Sequence, residues 1–354
     1  MTVPDASSVE RLVLRPPNWL GDAVLALPAM AAIRRHFASA HLTVAAAPSV
    51  AALFREDTDV GPDRVIELPS PTRDAVAALE AEGFNLGILF PNSFRSAWQF
   101  WRARIPARWA YATSGRGLLL TRCSQSSRRA GVRHQADYYR DLVTGLGIAC
   151  DQDTPPRVAP RRPSVERATA LLASHGVPLD VPLVGFAPGA AYGPAKQWPP
   201  QRMAEVIARL GRDHGVVSVI FGAAHDRDAG RAIESWLRAH APDMVPRMVD
   251  LIGRTSLGAL IAAVERVTAF VSNDSGAMHL AAALGRPVVS IFGPTDERAT
   301  RPVGATHNHD VLTARVLCRP CMLRDCPIDH RCMRRISVDT VYDAVAARLA
   351  PAVH

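Results

Sequence analysis

Residues 268–295, TAFVSNDSGAMHLAAALGRPVVSIFGPT, constrain the fold more than any other stretch of this chain. An apolar run, Thr268–Ser272, meets a polar turn at Asn273-Asp274-Ser275-Gly276. A small-residue helix follows over Gly276–Leu284, with Gly285 as its C′ residue. A second apolar run, Pro287–Phe292, ends in Gly293-Pro294-Thr295. Strand, turn, helix and strand in this order aim unpaired backbone N–H groups beyond the strand ends, where a phosphate binds. The segment therefore predicts a nucleotide diphosphate site. The plainer reading is an Asp/Ser helix cap.

The same alternation runs along the rest of the chain. Arg11–Arg15, His41–Ala46, Arg64–Leu68 and Asn85–Phe90 read as strands, with helices over Asp22–Phe37 and Asp74–Glu82. Asp151–Pro163, DQDTPPRVAPRRP, is rich in proline and arginine and has no period, so it reads as a linker. Alternation then resumes. Pro182–Ala187 and Val216–Phe221 are strands, and Pro200–Leu210 is a helix with Met203, Val206, Ile207 and Leu210 on one face. Further helices cover Ala229–His240, Ser256–Glu265 and, last, Val338–Leu349. Apolar strands separated by amphipathic helices predict an α/β chain with parallel sheets covered on both faces. Two Rossmann-like halves joined by a linker imply a cleft between them.

Composition narrows the partners. At 354 residues, 48% hydrophobic and 21% charged, the chain is globular and long enough for two domains. Its first long apolar stretch, Ala23–Ile33, is too short to span a bilayer. Asp5 and Glu10 near the start, with no apolar segment before a cleavage site, argue against a secretory signal. A cytoplasmic protein is expected. The formal net charge of +8 favours anionic partners. From Gly83 to Ala136 there is no Asp or Glu, yet nine arginines from Arg95 to Arg133 are interleaved with Trp98, Phe100, Trp101, Trp109 and Tyr111. That pattern suits a membrane interface, a phosphate-bearing acceptor or single-stranded nucleic acid. Codon bias explains arginine in place of lysine but not the missing acids.

Three motifs carry chemistry. Asn18-Trp19-Leu20-Gly21-Asp22 follows the first strand, at the end where open α/β sheets bind ligands. Gly21 lets backbone approach a ligand. Asp22 is either the N-cap of the next helix or a cleft-facing carboxylate able to take a proton from a hydroxyl. Pro28, inside that helix, predicts a bend or a tight first segment. The second motif, residues 187–200 (APGAAYGPAKQWPP), again joins strand to helix and holds Lys196, the chain's only lysine. An ammonium beside helix N–H groups suits a diphosphate; the plainer reading is an exposed loop lysine. No GxGxxG follows the first strand, Gly-Lys-Ser/Thr is absent, and no Asp-x-Asp metal triad for a nucleotide sugar is evident. Lys196 and the helix start at Ser275–Gly276 would then replace a metal in stabilising a leaving diphosphate. The third motif is Cys318-x2-Cys321-x4-Cys326-x5-Cys332, which predicts either a structural zinc or iron–sulfur site or a compact set of reduced thiols. His307, His309 and His330 lie nearby. Cys123 and Cys150 stand alone as plain thiols.

NWLGDAVLALPA (18–29), PGAAYGPAKQWP (188–199) and NDSGAMHLAAALGRPVVSIFGPT (273–295) closely resemble the ADP-heptose:lipopolysaccharide heptosyltransferases. Within that family the chain is most similar to the heptosyltransferase II subgroup, and CRPCMLRDCPIDHRCM (318–333) resembles a stretch found in many members. The resemblance implies a GT-B fold, with an acceptor-binding domain over 1–160 and a nucleotide-sugar domain over 161–335. A last helix within 336–354 would cross back to the first domain. It implies inverting transfer of heptose from ADP-heptose, without an essential metal or other cofactor, to the lipopolysaccharide inner core, Kdo–lipid A bearing a heptose. By the same likeness Asp22 would be the general base. Gly189, Lys196, Asn273, Asp274, Ser275, Gly276, His279, Gly293, Pro294 and Thr295 would face the donor. Asn18, Arg95, Arg128 and Arg129 would face the acceptor. A lipid acceptor and the acid-free stretch together suggest a cytoplasmic enzyme lying peripherally on the anionic inner face of the inner membrane. The alternatives are a relative with another donor or acceptor sugar, and a GT-B-type sugar-nucleotide epimerase, which would turn over without acceptor. A nucleic-acid-binding protein would explain the charge but not the loops at the strand ends, and is set aside.

Overall fold

The computed structural model describes residues 8–124, 131–178, 181–304 and 309–349. They form two units divided between Val158 and Ala159, close to the expected boundary at 160. The first unit holds strands β1 (Arg11–Arg15), β2 (His41–Ala46), β3 (Arg64–Glu67), β4 (Leu86–Leu89), β5 (Ala107–Tyr111) and β6 (Arg122–Ser124). RLVLR is apolar on both faces, and such a strand is stable only in the middle of a sheet with helices on either side. Accordingly β1 is central in the order β3-β2-β1-β4-β5-β6. The second unit repeats the pattern with β7 (Leu183–Ala187), β8 (Val217–Ile220), β9 (Met248–Asp250), β10 (Ala269–Asn273), β11 (Val288–Phe292) and β12 (His309–Thr313). Their order is β9-β8-β7-β10-β11-β12, and the pairings in both sheets are parallel. Each unit thus has the 3-2-1-4-5-6 strand order of a doubly wound fold. The order in which strands are added reverses beside the first strand of each sheet, and ligands bind at the carboxyl ends there.

The helix Leu20–His36 runs unbroken through Pro28 and buries nearly its whole length. Pro200–His214 is the predicted amphipathic helix, extended by one turn; Met203, Val206, Ile207 and Leu210 are buried, and Gly215 caps it at φ +66°. The helix Gly276–Ala283 stops as expected at Gly285, which has φ +71°. Gly285 N–H donates to Ala282 C=O and Arg286 N–H to Ala281 C=O, the paired bonds of a Schellman ending.

Several elements went unread in the sequence. Helix Phe94–Arg102, strands β5 and β6 and helix Gln135–Gly145 complete the first unit; β9 and β12 are the edges of the second sheet. The predicted linker is shorter than 151–163, because helix Arg162–Ser174 starts inside it with Pro163 in its first turn. The last helix is Val338–Leu349. It packs on Pro200–His214 and on β10, β11 and β12 of the second unit, burying Val341 and Val345. Tyr342 hydroxyl donates to Asp213 at 2.6 Å across that packing. No helix among the described residues is long and apolar enough to cross a membrane.

Candidate active site

The loop leaving β1 delivers Asp22 into the first turn of Leu20–His36. The N-cap of that helix is Trp19, which makes no side-chain cap, so Asp22 is not the cap residue. Its Oδ1 accepts a hydrogen bond from the Tyr139 hydroxyl at 3.0 Å. Tyr139 lies on Gln135–Gly145, which packs along Leu20–His36. Burial, then the charge of Asp22, holds the Tyr139 phenol well above its usual range, so it remains a proton donor to the carboxylate. Gln135 Nε2 in turn donates to the Tyr139 oxygen at 3.0 Å. The result is a half-buried carboxylate with one oxygen oriented by a neutral donor, as a proton acceptor needs. Tyr139 lies 117 positions from Asp22, and no local signal in the sequence links them.

Asn18 and Arg95 do come together, in a pocket of about 160 Å³ at the carboxyl ends of the first sheet. Arg15, the last residue of β1, lines the same pocket and was not foreseen. Arg128 and Arg129 lie outside the described residues. The acid-free stretch is only partly a surface. Arg116 is fully buried and donates through Nε to Tyr111 C=O at 3.0 Å; Arg108 Nε donates to Leu119 C=O at 2.6 Å. Trp109 and Phe100 are in the core, and the Arg122 guanidinium covers the Trp109 ring.

In the second unit the turn after β10 and the loop after β7 lock together. Asn273 is wholly buried; its Nδ2 donates to Pro188 C=O at 2.7 Å and its Oδ1 accepts from Trp198 N–H at 3.1 Å. Lys196 is no exposed loop lysine. It is 9% exposed, its ammonium donates to Asp274 Oδ2 at 2.5 Å, and it sits 4.6 Å from the Tyr192 ring centroid. Thr295 hydroxyl donates to the same Asp274 oxygen at 2.7 Å. Asp274 thereby holds the Lys196 ammonium in place beside the start of Gly276–Ala283. Ser275 is the N-cap of Gly276–Ala283, but its hydroxyl pairs with Ser272 at 2.9 Å and makes no cap. The first N–H groups of that helix therefore lack a side-chain cap and can serve an anion. His279 is buried one turn further on.

The cysteine loop is a support for these two segments. Cys321 and Met322 N–H both donate to Pro294 C=O, and Ala195 N–H donates to Arg324 C=O at 3.0 Å. Arg319 donates through Nε to Gly293 C=O at 2.7 Å and through Nη2 to Thr295 C=O at 3.0 Å, and pairs with Glu297. A Cβ on Gly293 would stand 2.6 Å from Met333 Sδ, so any larger residue in this turn would require the Met333 side chain to shift. Among the described residues no group of three or more His, Cys, Asp or Glu is gathered as a metal requires. Cys318 and Cys321 are exposed and Cys332 is buried. If the Lys196 site holds a nucleoside diphosphate, replacing Arg319 with Ala is expected to weaken its binding roughly 10-fold, because the turn that carries Thr295 loses a charge-assisted clamp. Acceptor KM should not move. Calorimetry with ADP checks this, and equal affinity would confine Arg319 to stability.

The family model of glycosyltransferase family 9 (heptosyltransferase) matches residues 73–331. The chain belongs to glycosyltransferase family 9. This family 9 enzyme is 28% identical over 311 residues to lipooligosaccharide heptosyltransferase 2 of Haemophilus influenzae, covering 81% of this chain and 84% of that relative. It is 29% identical over 298 residues to lipopolysaccharide heptosyltransferase 2 of Escherichia coli K12, with the same coverage. Among solved structures, Escherichia coli ADP-heptose lps heptosyltransferase II superposes with a TM-score of 0.80 at 25% identity, over 96% of this chain and 98% of that one. The α/β fold expected from the sequence is thus the GT-B fold of family 9, and the chain is a glycosyltransferase.

Proposed function

We propose that this family 9 enzyme transfers the second heptose of the lipopolysaccharide inner core from ADP-heptose. The acceptor is Kdo–lipid A already bearing one heptose. Heptosyltransferase 2 relatives matched over four fifths of the chain support the heptose position. The geometric observation that carries the donor is Lys196, buried against Asp274 beside the uncapped start of Gly276–Ala283. A fixed ammonium and helix N–H groups stabilise the charge that builds on a departing diphosphate. Asp22 takes the proton from the acceptor hydroxyl. The hydroxyl oxygen bonds to the anomeric carbon, and the bond from that carbon to the ADP oxygen breaks on the opposite face, inverting the centre. One base and one stabilised leaving group suffice. Mass spectrometry of the reaction with ADP-heptose tests this reading. ADP release and a mass gain of one heptose should appear with the one-heptose acceptor and not with heptose-free Kdo–lipid A. Equal or faster reaction with the heptose-free acceptor overturns the second-heptose assignment.

A peripheral membrane position fits one further feature. Phe94, Trp98 and Trp101 stack along one helix, at 6.2 and 4.9 Å between ring centroids, with Arg102 beside Trp98. Phe94, Trp101 and Leu118 are exposed. Aromatics and arginines together suit a lipid interface, with each basic side chain near an anionic surface contributing on the order of 1 kcal/mol. Sedimentation with liposomes is expected to show binding at low salt to vesicles containing anionic lipid, reduced by high salt and by Trp101→Ala. Equal binding to neutral vesicles would remove the electrostatic part of this reading.

A further inference from the structure

Arg15 is a buried cation with no acid to meet it. It ends β1 and is 7% exposed. Nη1 donates to Ala45 C=O at 3.1 Å and Nη2 to Asn18 Oδ1 at 2.7 Å, both neutral acceptors, while Nε is buried without a partner. Burial alone lowers its pKa from 12.5 to about 10, which marks a charge that nothing nearby offsets. The residue lines the pocket at the carboxyl ends of the first sheet, and no carboxylate lines it with Arg15. Arg95 shares the pocket; Ser70 C=O and Thr72 hydroxyl, again neutral, orient its guanidinium. Helix Phe94–Arg102 starts there, with its cap Ser93 and Ser96 in the lining, so the positive end of its dipole faces the same space. Behind it Arg116, also buried, reaches Pro91 C=O and Ser96 Oγ without a carboxylate partner. Two guanidiniums and a helix N-terminus meet at this pocket, and the chain from 83 to 136, which supplies Arg95 and that helix, has no Asp or Glu. A buried, unpaired charge is costly unless a ligand supplies the counter-charge.

We propose that this pocket binds an oxyanion, a carboxylate or phosphate group carried by the acceptor saccharide, with Arg15 as its principal ligand and Arg95 as the second. Free volume of about 160 Å³ admits such a group with part of its sugar, since a water occupies ~30 Å³. The assignment to the acceptor rests on the transfer reaction proposed above; the oxyanion site itself does not.

Two measurements separate these. In the first, inorganic phosphate is titrated into the full chain saturated with ADP, so that the donor site is filled, at constant ionic strength, and thermal stability is followed. Phosphate should raise the melting temperature of the wild type, not of Arg15→Gln, and less of Arg95→Gln. The same phosphate gain in both variants overturns the site. Should Arg15→Gln fail to fold, an undiminished gain in Arg95→Gln is sufficient to overturn it. In the second, transfer is compared among three acceptors: the native one, one with its carboxylates esterified, and one without phosphate. Removing the charge that fills the pocket should raise acceptor KM roughly 10- to 100-fold, the scale of a charge-assisted hydrogen bond, and Arg15→Gln should abolish the difference. Equal KM for all three overturns the acceptor assignment. Absence of transfer to any of them counts against the proposed reaction, and the phosphate titration still decides the pocket.

Discussion

Asp22→Asn is expected to lower turnover by roughly two to four orders of magnitude, the scale of losing a general base. The amide keeps an oxygen that can accept from Tyr139, so the contact at 3.0 Å and the melting temperature should survive. ADP affinity should also be unchanged, because the residues proposed to hold the donor lie in the second unit. Normal turnover in this variant would reduce Asp22 to a helix-start residue. Tyr139→Phe sharpens the test. A hydrogen bond donated to a carboxylate favours its ionised form, so losing the donor raises the pKa of Asp22. The acid limb of the pH–rate profile should therefore move to higher pH, with activity near neutral pH falling less than in Asp22→Asn. An unmoved acid limb would separate Tyr139 from the reaction.

The second large effect concerns the Lys196–Asp274 pair, whose partners are 9% and 5% exposed. Removing one member of a buried pair strands the other, at a cost of about 3–5 kcal/mol. The two directions should differ. Asp274 stands beside the start of Gly276–Ala283, where the helix dipole favours a negative charge, and Thr295 still donates to it when the lysine is gone. Lys196 without Asp274 faces that same positive end with no carboxylate partner. Asp274→Ala is thus expected to destabilise more than Lys196→Ala. Lys196→Ala should lower kcat/KM for the donor by roughly 100- to 1,000-fold, as when one donor to a developing oxyanion is deleted. Denaturant titration and donor kinetics check both parts. Equal stability losses would set aside the dipole argument, and unchanged donor kinetics would remove Lys196 from the leaving-group site.

Much was legible in the chain because the signals were local. Arg11–Arg15, His41–Ala46 and Val338–Leu349 have the bounds read from hydrophobic period alone, and the Gly285 stop follows from one residue in a left-handed conformation. The strand–turn–helix run at 268–295 placed Ser275 and Gly276 at a helix start for the same reason. The first unit between Phe94 and Ser124 was illegible. Its arginines read as a charged surface, whereas Arg108 and Arg116 turn inward to backbone carbonyls and Arg122 covers a buried tryptophan.

Sequence by itself determined the fold class, the parallel alternation and the loops that carry Asp22 and Lys196. Each depends on residues a few positions apart, and period, proline and glycine report on such spacings. Tertiary structure alone decided what those residues meet. Tyr139 reaches Asp22 across 117 positions, Lys196 reaches Asp274 across 78, and Arg319 reaches Gly293 across 26. It also decided that Asp274 holds a cation and that Arg15 lacks a carboxylate partner. A side chain's charge is written in the chain, but its partner and its exposure to water are set only when distant segments pack.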